Sequence, residues 1–133
     1  MAIAERIRAA LPANREWAMN ALLIIAALYR GEKVHVYSGS HFNGRKRELH
    51  NTAGVSQAEI IIEKAGIKIQ RGNDAPRGGE LGKYISLPRR SLRIAAQVME
   101  IHGELYASVR GYPCSFYDEY GREKGSKWGT KND

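Results

Sequence analysis

The chain has 133 residues, 43% of them apolar and 26% charged, with 21 Lys and Arg against 14 Asp and Glu for a net charge of +7. That is the composition of a single globular domain with a real core, and it excludes wholesale disorder, a collagen-like repeat and a low-complexity chain. The positive excess runs through both halves, 9 basic to 6 acidic groups in residues 1–66 and 12 to 8 in residues 67–133, and a field of this kind attracts polyanions, nucleic acid first.

Ile3, Ile7 and Leu11 stand four apart, which predicts a short helix over 2–11 ended by Pro12. Asn14 is placed to cap a second helix over 15–30. Its stripe of Trp17, Ala21, Ile24 and Leu28 is widened by Leu22, Ile25 and Tyr29, so the helix is expected at the centre of the core, with Gly31 as its stop. Val34 to Tyr37 reads as a short strand and Ser38 to Ser40 as a loop. Gly44 to Thr52 reads as a polar helix carrying Arg45, Lys46 and Arg47. Ser56 precedes Glu59 by three residues just before Ile60, Ile61 and Ile62, the pattern of a capping box, and predicts a helix over 57–65 stopped by Gly66.

Residues 67–71 and 83–87 alternate with period two and predict two antiparallel strands joined by a long glycine-rich loop. Pro88 closes the second strand, and Ser91 caps a further helix with Ile94, Val98, Ile101 and Leu105 in register. After Gly111 the chain turns irregular or forms a small hairpin. The expected organisation is a single compact α+β domain over residues 1–120, with a helical N-terminal half and a small antiparallel sheet, followed by a mobile basic tail over 121–133.

This order of elements is that of a winged helix. Leu49, Ala53, Gly54, Val55 and Ile60 fall where an apolar residue, a small residue, a turn glycine and two further apolar residues stand in a helix-turn-helix motif. Over residues 46–65 the sequence resembles the helix-turn-helix class of DNA-binding domains, with the 67–87 hairpin in the place of a wing. His50 and Glu63 depart from the pattern. The resemblance implies a recognition helix led into the major groove by Ser56 and Gln57, and phosphate contacts from Arg45, Lys46 and Arg47 and from the loop arginines Arg71 and Arg77. The plainer alternative is a capped helix that packs Ile60, Ile61 and Ile62 into the core.

Six basic and two acidic residues fall within 71–93, among them Lys83, Arg89 and Arg90, which join the expected nucleic-acid-binding set. Gly78 to Lys83 is one residue short of a phosphate-binding loop, and Tyr84 stands where such a loop needs Ser or Thr, so nucleotide hydrolysis is not expected. Tyr106, Tyr112, Phe116, Tyr117, Tyr120 and Trp128 are interleaved with basic residues, a composition that suits either stacking on single-stranded bases or packing against the core.

The four histidines do not fall at metal-ligand spacing, and Cys114 is alone. No cofactor, metal or enzymatic activity is expected, with a metal-dependent nuclease around His41 and His50 as the minority alternative. The N-terminus lacks the apolar core of a signal peptide, and Ala21 to Tyr29 is too short to span a bilayer. The expectation is a soluble cytoplasmic regulator that binds nucleic acid, DNA ahead of RNA, without a membrane partner. The alternative is an accessory or inhibitor module, of the phage or mobile-element type, that binds an acidic protein. The oligomeric state is left open, a homodimer included.

Overall fold

The computed structural model describes residues 1–37, 40–42, 47–49 and 52–108. Arg45, Lys46, His50, Cys114, the aromatic residues from Tyr112 onward and the 121–133 tail lie outside them, and Arg47 is placed by its backbone alone.

Helix α1 spans Ile3–Ala9 and α2 spans Arg15–Tyr29. The Asn14 side chain accepts a hydrogen bond from the Trp17 amide at 3.0 Å, which starts α2 where its sequence indicates. Every residue from Ala18 to Tyr29 is buried, so α2 is the central post of the core. Its end is a Schellman motif: the Gly31 amide donates to Leu28 and the Glu32 amide to Ala27. Gly31 has φ +93°, a conformation that a side chain disfavours.

Three short strands follow: β1, Lys33–His35; β2, Ser40–Phe42; and β3, Arg47–Leu49. They are consecutive antiparallel neighbours. The polar helix expected over 44–52 is therefore not formed, because its middle is a strand. Helix α3 spans Thr52–Lys64, so Ala53, Gly54 and Val55 lie inside a helix and not in a turn between two helices. The helix-turn-helix arrangement is absent among the described residues. Gly54 instead lets two helices cross closely, since a Cβ there would come within 3.2 Å of both Asn20 and Ile24 on α2. Ser56 accordingly stands a turn inside α3 and is not its cap.

Val55, Ala58, Ile61, Ile62 and Ala65 enter the core, while Ile60 is 45% exposed. A second Schellman motif closes α3, with Gly66 at φ +76° and the Ile67 amide donating to Ile62. That bond occupies the start of the expected strand, and β4 begins only at Gln70 and runs to Asn73. A 3₁₀ turn at Glu80–Gly82 leads into β5, Lys83–Ser86, and α4 spans Leu92–Ser108. Ser91 Oγ accepts from the Ile94 amide at 3.2 Å, as a cap should, and Gly103 stays within α4.

The sheet order is β3-β2-β1-β5-β4, with every neighbouring pair antiparallel. Val34 and Ile85 are register partners, both fully buried, and turn into the core beside α2. Helices α3 and α4 pack on α2, and α1 packs on both of them. The fold is α+β, with a helical N-terminal part as composition and order of elements imply. Among the described residues no helix is long and apolar enough to cross a membrane.

Candidate functional site

Two regions gather the chemistry that the sequence points to. The first is a corner where the end of α2 meets the start of α4. The Ser91 amide donates to the Tyr29 carbonyl at 2.8 Å, which fixes the 87–91 connection against the α2 terminus. Arg90 lies along Gly31, where its Cδ would be 3.3 Å from an added Cβ. Arg89, Arg90 and Arg93 are exposed, and the first turn of α4 carries no acidic residue. None of the three forms a salt bridge among the described residues. The neighbouring Arg30 does, with Glu32 at 3.0 Å.

The second region is the β4–β5 hairpin. Its connection is knit together and is not an open loop. Asn73 accepts from the Ala75 amide at 2.9 Å and donates to the Gly79 carbonyl at 3.0 Å, while the Asp74 amide donates to the Gly82 carbonyl at 3.0 Å. Gly82 is obligatory there, because a Cβ would overlap Ala75 and Asn73. Asp74 reaches across β5 to β1: its Oδ2 lies 2.9 Å from Lys33 Nζ and 2.8 Å from His35 Nε2. The carboxylate can only accept, so Nε2 carries the proton. His35 is fully buried, and its Nδ1 has no hydrogen-bond partner among the described residues. The ammonium of Lys33, and after it the His35 ring, hold the Asp74 carboxyl down at about 2.

Lowering this carboxyl has a consequence for acid stability. Its contribution is complete above the ordinary carboxylate range, near pH 4, and is lost as the pH falls through about 2. We expect the urea midpoint of the wild type to drop over that window. Asp74→Asn should show a flatter profile there and a lower midpoint at neutral pH. Parallel profiles for the two proteins would contradict the assignment.

Of the expected binding residues, Arg71 and Lys83 are tied up. Arg71 Nη2 donates to Glu59 at 3.0 Å and lies 3.9 Å from Glu63, and Lys83 pairs with Glu80 at 3.2 Å. Arg77 is exposed in the knit loop without a salt bridge among the described residues. On α3, Ser56 is exposed and Gln57 half-buried, but their exposed neighbours are Ile60 and Glu63. That surface is apolar and acidic, a poor match to a DNA groove. The Lys33, His35 and Asp74 cluster was not anticipated. The signal that marks it is the alternation of Lys33 and His35 on one face of β1 opposite the Asn73-Asp74 turn.

A cleft of about 580 Å³ opens beside the hairpin, lined by Val36, Tyr37, Glu59, Arg71, Gly72, Asn73, Lys83 and Tyr84. Lys83 Nζ lies 6.0 Å from the centroid of the Tyr37 ring. Among the described residues no three of His, Cys, Asp and Glu stand close enough to hold a metal ion. No family model matches the chain, and neither a curated protein nor a solved structure matches it.

Proposed function

We propose that the protein binds nucleic acid, DNA ahead of RNA, through phosphate contacts made by the corner of Arg89, Arg90 and Arg93. The observation that carries this reading is the contrast in pairing. Arg8, Arg30, Lys33, Arg71 and Lys83 each have a carboxylate partner; of the cations without one among the described residues, Arg6, Arg15, Lys64, Lys68 and Arg77 stand on other segments, whereas Arg89, Arg90 and Arg93 are exposed together on one short stretch. An arginine without a carboxylate keeps all five donors for phosphate oxygens. This reading moves the interface away from α3 and the Arg71 loop. The cytoplasm belongs to the same proposal, since the lone Cys114 suits a reducing compartment.

A mobility-shift assay at two salt concentrations tests it. The expected result is a shift at low salt that weakens steeply as salt rises, because binding releases counterions from the phosphates. No shift on either DNA or RNA at low salt would refute the proposal. Leu92, 56% exposed between Arg90 and Arg93, favours a second reading in which the corner meets an acidic protein. Under that reading a stoichiometric protein partner is captured and nucleic acid does not displace it.

A further inference from the structure

We infer that the free edge of β4 pairs with the same edge of a second copy of this chain, joining the two sheets about a twofold axis at Gly72. β4 is the last strand in the sheet order and has β5 as its neighbour on one side alone. The Asp74 amide donates to the Gly82 carbonyl in the register of that ladder, so the main-chain groups of Gly72 turn toward β5 and those of Arg71 and Asn73 turn outward. Among the described residues nothing meets these outward groups. Natural sheet edges are blunted by Pro, Lys, a bulge or a covering element. Gln70–Asn73 contains neither Pro nor Lys. Its Arg71 head is folded back onto Glu59 of α3, and the Asn73 side chain is bound within its own loop.

A second copy fits this edge better than another partner does. With Gly72 opposite Gly72, Arg71 of each copy stands across from Asn73 of the other, and both residues of that pair aim their main-chain groups at one another. The symmetry produces this pair on either side of the axis, and each exchanges both of its hydrogen bonds. Arg71 is kept from standing opposite Arg71, which like charges disfavour. On the axis itself glycine meets glycine in a pair without hydrogen bonds, where the two backbones come closest. A Cβ at Gly72 would overlap the Tyr84 ring, so that position stays bare. Charge points the same way. Glu59 and Glu63 stand beside Arg71, and Lys68 is exposed just before the strand, so the signs balance. A polyanion or a basic partner would each meet its own sign, whereas a copy of the same surface brings both. Ile60, 45% exposed on α3 next to Glu59, adds an apolar contact beside the strand.

The experiment uses the full chain without nucleic acid, in sedimentation equilibrium over a concentration series. So short an edge implies a weak dimer, with a dissociation constant on the order of 10 μM. Arg71→Pro removes the outward N–H and spares the β4–β5 ladder, so it should raise that constant at least about tenfold. Arg71→Gln keeps the N–H and loses only an exposed ion pair, so it should change the constant by no more than about threefold. Amide hydrogen exchange gives a readout that needs no substitution. The Arg71 and Asn73 amides should be slowed at dimer concentrations and fast in dilute protein, while the Gly72 amide stays slow in both. If Arg71→Pro does not fold by circular dichroism, exchange at these amides decides. A chain that remains monomeric up to roughly 1 mM overturns the proposal and leaves the edge to an extended segment of another protein. A dimer that folded Arg71→Pro forms as tightly as the wild type, or in which both amides exchange freely, overturns the assignment to β4. Neither outcome bears on the arginine corner, which lies outside this surface.

Discussion

Replacing Arg89, Arg90 and Arg93 together by alanine is expected to lower affinity for nucleic acid on the order of a hundredfold at low salt, and to flatten its salt dependence. Each phosphate contact adds close to one unit to the slope of log affinity against log salt, so losing three should lower that slope by about 2 to 3. The loss should be the same for every sequence tested, since phosphate contacts carry no base information. A charge-matched control separates position from net charge. Arg8, Arg15 and Lys64 are exposed elsewhere, and Arg8 already pairs with Glu104 at 2.6 Å. Their triple alanine variant removes the same charge and should change affinity by no more than about threefold, because screening limits what distant surface charges do. Equal losses in the two triple variants would show that net charge alone drives binding.

The second large effect concerns the post of the fold. Ile24 is fully buried on α2, and its Cδ1 would lie 3.2 Å from a Cβ added at Gly54 of α3. Ile24→Ala should destabilise the protein by about 2–5 kcal/mol, the transfer free energy of the lost methyl groups plus the cost of the cavity. The pinned crossing at Gly54 limits how far α3 can move in, which places the expected value in the upper part of that range. Leu92→Ala, at a position 56% exposed, should change stability by less than about 0.5 kcal/mol. Urea denaturation of the two variants beside the wild type checks both values.

The helices were legible in the sequence wherever the chain carried a periodic stripe with a chemical stop. Asn14, Gly31, Gly66 and Ser91 act as anticipated, the first and last as caps and the glycines as stops. The β4–β5 pairing was also legible, because Tyr84 and Ile85 alternate between the two faces of the sheet. Strands β2 and β3 were not. Each has three residues, Ser40–Phe42 and Arg47–Leu49, and three residues hold too little alternation to outweigh their polar composition. The error at Gly54 has a different origin. A glycine followed by an apolar residue has the same appearance in a turn and at a close helix crossing, and only the approach of Asn20 and Ile24 distinguishes the two.

The candidate site divides along the same line. That positive charge collects around 71–93 could be counted, and Arg89 and Arg90 were among the expected residues. Arg30 and Lys83 are neutralised by near neighbours in the sequence, Glu32 and Glu80, but other pairings depend on partners far away in the chain. Arg71 is twelve residues from Glu59, and Arg8 is ninety-six from Glu104. Asp74 meets His35 across thirty-nine residues. No local pattern in the sequence announces such pairs, and they decide which positive side chains are left for an outside anion.

The enclosure of α2 also bears on how the protein is made. Its covering helices α3 and α4 both follow it in the chain, and α4 ends only at Ser108. During synthesis the most apolar segment therefore leaves the ribosome long before the surfaces that shelter it. The nascent chain must pass through an interval in which sticky side chains face water, the circumstance in which chaperones engage their clients.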